Sequence, residues 1–136
     1  MDKAFVDTSV ILRILVREDE GKVAAVERLL LSARRSGKRL HVLPVAILEV
    51  VWVLEKVYKL DRHSIRELAD AILNTGELIV ENGEVFRKAL AVYEEKNVKF
   101  ADAVMGVWGI ARGLKTVYTY DEKDFRRVGE LEVLKP

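Results

Sequence analysis

The chain has 136 residues, of which 50% are hydrophobic and 33% are charged. This length and apolar content suit one hydrophobic core, so we expect residues 1–136 to form a single domain. With 23 Lys and Arg against 22 Asp and Glu, the formal net charge of +1 excludes a protein that binds nucleic acid through strong overall basicity. The absence of cysteine excludes disulfides, thiolate zinc sites and thiol nucleophiles, and the two histidines are too far apart in sequence to favour a histidine-based site.

No segment of the sequence has the pattern of a signal peptide or a membrane span. The apolar run near the N-terminus is interrupted by charges that include Asp7 and Arg13. The longest apolar stretch, residues 42–54, contains Pro44 and Glu49 and is shorter than the roughly 18 residues that a bilayer requires. We therefore expect a cytoplasmic protein without membrane contact. The absence of glutamine, together with the many charges, is typical of thermophile proteins.

Short β-branched runs alternate with helical patterns along the chain. Strands are predicted at residues 4–6, 40–43, 78–80, 116–120 and 131–134. Helices are predicted from a hydroxyl cap at Thr8 or Ser9 through residue 16, at 21–35, 45–58 and 61–75, after Asn82, and at 101–112. The helix at 45–58 is apolar nearly all round, which predicts deep burial. The glycines of the helix at 101–112 indicate close helix packing followed by a C-cap at Gly113. Together these elements predict an α/β fold built on a parallel sheet.

Acidic residues follow the predicted strands at the edge where such sheets carry their function. Asp7 directly follows the first strand and Asp121 directly follows the strand at 116–120. Asp124 lies about one helical turn after Asp121 and could share its face. Asp102 begins a helix, where an acid is also stabilised by the helix dipole alone.

Glu49 lies within the most apolar predicted helix. Its neighbours three and four positions away are all apolar, which predicts a carboxylate surrounded by apolar side chains. Because an unpaired buried charge is costly, two interpretations remain open. Glu49 either forms a buried ion pair with an arginine such as Arg13, or it faces a metal ion shared with the other acids.

Several carboxylates at one site would repel each other. A like-charge pair at ~4 Å costs about 4 kcal/mol at an effective dielectric constant near 20, so protons or a cation must neutralise the cluster. Oxygen ligands without His or Cys favour Mg²⁺ or Mn²⁺ over zinc. Ions of this kind, held by carboxylates, are typical of phosphodiester hydrolysis.

Three motifs in this order resemble the PIN-domain ribonucleases: VDTSVILRIL at 6–15, KFADAVMGVWGIARG at 99–113 and VYTYDEKDFRRV at 117–128. With Glu49 between the first two, the chain is similar more narrowly to the VapC-type toxins of toxin–antitoxin pairs, over its whole length. The resemblance implies a PIN-like three-layer α/β/α fold with a central parallel sheet of about five strands. It also implies a Mg²⁺-dependent endoribonuclease, with Mn²⁺ as a substitute, that hydrolyses RNA with a metal-activated water. Its partners would be a second copy in a homodimer and a VapB-like antitoxin.

The resemblance assigns roles to particular residues. It implies catalytic acids at five positions and metal ligands at three of them, namely Asp7, Asp102 and Asp121, with Glu49 and Asp124 as the other acids. Either Asp121 or Asp124 occupies the family's fourth acidic position. The hydroxyls expected near the metal belong to Thr8, Ser9 and Thr119. By their sequence positions near the acids, the candidate RNA contacts are Arg13, Arg126 and Arg127.

Three alternative functions share parts of this pattern. A PIN nuclease that processes RNA without an antitoxin would have the same residues and a different gene neighbourhood. A non-catalytic PIN scaffold that binds RNA or protein has no reason to keep mutually repelling acids. A receiver-like phosphorylated domain needs an acid pair after the first strand, where this chain has Asp7 alone.

Overall fold

The computed structural model describes residues 3–136, in which helices and parallel strands alternate. In chain order the elements are β1 (Ala4–Phe5), α1 (Thr8–Leu15), α2 (Glu20–Ser36), β2 (Leu40–Val42), α3 (Pro44–Lys56), α4 (Arg62–Leu73), β3 (Leu78–Val80), α5 (Gly83–Glu95), α6 (Phe100–Ala111), β4 (Thr116–Tyr118), α7 (Glu122–Val128) and β5 (Glu132–Leu134). The strands β1, β2 and β3 form one parallel sheet in that order, and β4 and β5 form a separate parallel pair. The α/β fold with parallel strands is confirmed, and its five strands divide into three and two within the described residues.

The start of α1 differs from the prediction. The N-cap is Asp7, whose Oδ1 accepts hydrogen bonds from the backbone N–H groups of Ser9 (3.1 Å) and Val10 (3.4 Å). The predicted hydroxyl cap at Thr8 or Ser9 is therefore wrong. A carboxylate one residue earlier already satisfies the first free N–H groups of the helix.

The core is formed by buried side chains of the strands β2 and β3 and of the helices α1 to α7. Its aromatic side chains connect α5 to α6: the rings of Phe86 and Trp108 are 6.1 Å apart, and those of Tyr93 and Phe100 are 5.6 Å apart. Edge-to-face contacts at these distances add to the stabilisation from apolar burial. This packing fixes the start of α6, where the acidic motif KFAD begins.

One face of α3 is exposed, so the prediction of deep burial for the whole helix is wrong. Its buried residues are Ala46, Ile47, Val50, Val51 and Leu54. The side chains of Val45 and Trp52 are 59% and 57% exposed, respectively. An apolar pattern cannot show which face the rest of the fold covers. Among residues 3–136, no helix has both the length and the apolar character that crossing a membrane requires.

Candidate active site

Three carboxylates meet where β4 ends and α7 begins. Asp102 lies in the first turn of α6, Asp121 is the N-cap residue of α7, and Asp124 lies in the first turn of α7. One oxygen from each of the three lies within 4.8 Å of the others. The close approach of α6 to α7 depends on Gly106, where a Cβ would lie only 2.9 Å from Cγ1 of Val128. The predicted packing role of this glycine is confirmed, and it brings the acids of two helices together.

Lys99 holds two of these acids from the loop before α6. Its backbone N–H donates to Oδ2 of Asp124 at 3.2 Å, and its Nζ lies 3.8 Å from Oδ2 of Asp121. Asp124 is only 8% exposed, so the backbone hydrogen bond satisfies a carboxylate that has little contact with water. The N–H of Asp121 donates to Oγ1 of Thr119 at 2.8 Å, which fixes the turn between β4 and α7.

Asp102 is the acid that this arrangement perturbs most. Burial raises its pKa to about 6, and the hydrogen bond to Asp124 and the negative charges of Asp121 and Asp124 act in the same direction. Its place in the first turn of α6, where the helix dipole favours a negative charge, opposes these effects in part. A bound cation would relieve the repulsion among the acids further than the ammonium of Lys99 does, which lies 3.8 Å from Asp121.

The donor set of this site fits a hard divalent cation. All three side chains offer carboxylate oxygens within reach of one ion, and neither sulfur nor imidazole takes part. Mg²⁺ prefers such oxygen ligands and retains several of its water molecules, which matches a site that Asp121 leaves partly open to solvent. Of the predicted ligands, Asp102 and Asp121 are brought together with Asp124, and the described group does not include Asp7.

The other two predicted acids are Asp7, at the start of α1, and Glu49, on α3. Oδ1 of Asp7 accepts hydrogen bonds from the Ser9 hydroxyl at 2.6 Å and from two backbone N–H groups, and the Ser9 bond is the largest cause of a lowered Asp7 pKa. The hydroxyl of the next residue, Thr8, donates to Oε1 of Glu49 at 3.3 Å. This contact joins the start of α1 to α3. Glu49 is therefore bonded to the residue that directly follows Asp7.

Glu49 itself is exposed, which corrects the prediction that apolar side chains surround its carboxylate. The interpretation as a buried ion pair with Arg13 is therefore wrong. Arg13 lies half-buried on α1. The residues three and four positions from Glu49 are apolar, but some of them lie on the exposed face of α3, as Trp52 does.

The two predicted arginines of α7 line the same open groove as Asp121. Arg126 is exposed and pairs with Glu122 at 3.3 Å. One guanidinium nitrogen of Arg127 donates to the backbone carbonyl of Asn97 at 3.2 Å, so this side chain ties α7 to the loop before α6. Arg127 thus has a structural contact in addition to any contact with a substrate.

Sequence reasoning missed Lys99. Its position three residues before Asp102 was visible, but nothing in the sequence pairs it with Asp121 and Asp124, which follow more than twenty residues later. Only the packing of α7 against α6 creates that contact.

The fold and the site define a class of protein: a parallel α/β domain with a carboxylate site for a divalent cation beyond the end of a strand. Residues 4–131 match the family model of the PIN domain, and the chain belongs to the PIN-domain family. The chain is 32% identical over 123 residues to the VapC ribonuclease of Aquifex aeolicus (strain VF5), and the match covers 90% of each chain. The resemblance to VapC-type PIN proteins is confirmed.

Proposed function

We propose that the protein is a Mg²⁺-dependent endoribonuclease and the toxin component of a VapBC-type toxin–antitoxin system. The observation that carries this proposal is the group of Asp102, Asp121 and Asp124, whose oxygens lie within 4.8 Å of one another. Membership in the PIN-domain family and the similarity to a relative named VapC ribonuclease support it. The protein acts as a single domain in the cytoplasm, where its RNA substrate is found.

The three grouped acids share one role in the proposed reaction, and Lys99 supports them. Asp102, Asp121 and Asp124 hold the divalent ion, which when bound lowers the pKa of water and stabilises the charge that develops on phosphate oxygens. Lys99 offsets part of the negative charge and keeps Asp124 in place through its backbone N–H. The structure holds Asp124 more firmly than Asp121, and both belong to the proposed ligand set.

Asp7 and Glu49 belong to the same proposed acid set. Within residues 3–136, the three hydrogen bonds to Asp7 all end on Oδ1, so Oδ2 is the oxygen that this side chain offers to a ligand. The lowered pKa of Asp7 keeps its carboxylate charged without any cation. Thr8 orients Glu49 through the hydrogen bond between their side chains. These contacts prepare both acids for a role beside the metal or the attacking water.

RNA cleavage by purified protein tests the proposal. A panel of structured and single-stranded RNAs is incubated with the wild type and with Asp102→Asn, in Mg²⁺, in Mn²⁺ and in EDTA. The matched control is Asp19→Asn, because Asp19 is an exposed N-cap of α2 and Asn caps helices as well as Asp does. We expect metal-dependent cleavage by the wild type and the control, and none by Asp102→Asn. Metal-independent cleavage, or equal cleavage by Asp102→Asn, would contradict the assigned site.

The proposal includes a homodimer and a VapB-like antitoxin. Exposed apolar side chains lie on α3, on α6 and just after α6, and they include Trp52, Met105 and Leu114. Apolar surface of this kind is typical of protein contacts. Analytical ultracentrifugation of the wild type and of Met105→Glu tests the dimer, and a monomeric wild type would contradict it. Inhibition of cleavage by the product of the adjacent antitoxin gene tests the second partner.

A further inference from the structure

The most exposed large apolar side chain of the described residues lies next to the acidic centre. Tyr120 is 87% exposed and directly precedes Asp121. It lines an open groove of about 470 Å³, whose other lining residues are Asp121, Glu122, Lys123, Arg126 and Arg127. An exposed tyrosine alone has no special meaning, but this ring stands beside the carboxylates and in a groove with three cationic side chains.

The backbone that carries Tyr120 is held on both sides. The N–H of Thr119 donates to the carbonyl of Leu134 in β5 at 2.9 Å, and the hydroxyl of Thr119 accepts from the N–H of Asp121 at 2.8 Å. The ring therefore projects from a fixed turn, and its own two side-chain torsions are the freedom that a contact would remove. A rigid aromatic side chain of this kind binds at low cost in conformational entropy.

Electrostatics alone offers little affinity for RNA at this centre. The net charge of the chain is +1, and a bound divalent ion together with Lys99 would do no more than neutralise the three carboxylates that the substrate phosphates must approach. In the groove, Arg126 is paired with Glu122 at 3.3 Å and Arg127 is bonded to a backbone carbonyl. Base stacking adds affinity that depends little on charge, and every base has a face that can stack.

Resting on the proposed ribonuclease function, we infer that Tyr120 is a stacking site for one base of single-stranded RNA, next to the phosphate that the acidic centre cleaves. The aromatic ring holds the base, and Lys123 contacts the adjoining phosphate from the same groove. The stack selects unpaired RNA, because a base within a duplex has no free face. This assigns the groove to the substrate strand and not to a protein partner.

The test measures RNA affinity separately from cleavage. Fluorescence anisotropy follows a short unstructured oligoribonucleotide on the Asp102→Asn protein in Mg²⁺. Loss of one stacked base costs about 1–3 kcal/mol, which corresponds to a Kd raised about 5-fold to 150-fold. We expect Tyr120→Ala to show a rise in this range and Tyr120→Phe to retain the affinity. The matched control is Tyr118→Ala, because Tyr118 is 67% exposed on the same segment but does not line the groove.

Two further measurements separate stacking from phosphate contact. In the first, an abasic nucleotide replaces each nucleotide of the RNA in turn. One position should weaken binding to the Asp102→Asn parent, and the same position should have no effect on binding to its Tyr120→Ala variant. The comparison is a double-mutant cycle between the ring and the base. The salt dependence should be unchanged in Tyr120→Ala, whereas Lys123→Gln should reduce the slope of log K against log salt by about 0.7.

The outcomes distinguish this inference from the function on which it rests. If Tyr120→Ala binds RNA as tightly as its parent while the wild type still cleaves, the stacking site is wrong and the nuclease stands. An equal loss in Tyr118→Ala would also overturn it, and so would a Tyr120→Ala variant that loses affinity for the antitoxin but none for RNA. If the wild type neither binds nor cleaves any RNA, the proposed function itself fails.

Discussion

The substitution Asp102→Asn should stabilise the protein when no divalent cation is present. The change keeps the size of the side chain and removes one of three negative charges that lie within 4.8 Å. Burial and the neighbouring acids raise the pKa of Asp102 from its ordinary value of 3.8 to about 6. The folded protein therefore binds the Asp102 proton more tightly than the unfolded chain does.

The sign of the effect follows from this linkage. Below about pH 4 the carboxyl is protonated in both states and affects stability little. As the pH rises from about 4 to about 6, the unfolded chain releases the proton first, and the folded state loses stability relative to it. At neutral pH the loss is complete. A pKa difference between 3.8 and about 6 corresponds to about 3 kcal/mol, and we expect about 1–2 kcal/mol because solvent reaches and screens the site.

Urea unfolding in EDTA measures this difference. At neutral pH we expect a free energy of unfolding about 1–2 kcal/mol higher for Asp102→Asn than for the wild type, falling towards zero near pH 4. Addition of Mg²⁺ should make the wild type the more stable of the two proteins. An ion that binds the folded state stabilises it, and only the wild type retains all three proposed ligands. The control Asp19→Asn should follow the wild type in Mg²⁺ as in EDTA.

Three results would refute this reasoning. Asp102→Asn could be less stable than the wild type at neutral pH in EDTA, which would mean that the carboxylate is well accommodated without a cation. The difference between the two proteins could be independent of pH, so that it would not come from titration of Asp102. Mg²⁺ could stabilise both proteins equally, which would place the ion elsewhere.

Three other substitutions test individual contacts of the fold. Gly106→Ala places a Cβ about 2.9 Å from a valine side chain of α7, so we expect a loss of about 1–3 kcal/mol and weaker Mg²⁺ binding by calorimetry; unchanged values would mean that α7 shifts freely. Arg62→Ala removes hydrogen bonds to two backbone carbonyls, one of them Val98 at 2.8 Å, and should cost about 2–3 kcal/mol in urea unfolding, whereas full stability would show that water replaces the guanidinium. Glu94 raises the pKa of His63, so protonated His63 stabilises the folded state below its ordinary pKa, and this contribution should be lost as the pH rises through the raised value. His63→Gln should flatten that part of the plot of unfolding free energy against pH. An unchanged plot would contradict this.

Elements with regular patterns and clear end signals were predictable from the sequence. The strand β3 covers residues 78–80 as predicted, and α2 ends where Gly37 adopts a left-handed conformation with φ of 72°. The helix α7 was not predicted, because seven residues give too few repeats for a helical period. It is stabilised by tertiary contacts, since Phe125 and Val128 are buried. The division of the strands into three and two is likewise set by packing.

The acidic residues of the site were predictable, but their surroundings were not. The strand ends predicted Asp7 and Asp121, helical spacing predicted Asp124 near Asp121, and the resemblance predicted Asp102 as a ligand. The structure groups Asp102 with Asp121 and Asp124. The prediction that apolar side chains surround Glu49 was wrong. One face of α3, which includes Trp52, is apolar and still exposed, and the apolar pattern does not reveal this. The contact of Lys99 with Asp121 depends on the distance between two helices, which no local pattern contains.

Asp7 and Asp102 belong to one proposed acid set but differ in what they require from a cation. Hydrogen bonds from Ser9 and from the start of α1 lower the pKa of Asp7, so this carboxylate is charged and oriented without metal. Burial and like charges raise the pKa of Asp102 to about 6, so without a cation its ionisation at neutral pH lowers the stability of the folded state, and a bound cation would remove that cost. Asn also caps a helix, but the lowered pKa of Asp7 means that its charged form stabilises the folded state, so Asp7→Asn should lower stability in EDTA slightly while abolishing RNA cleavage. A stabilisation by Asp7→Asn as large as that by Asp102→Asn would place Asp7 among the repelling acids and contradict this division.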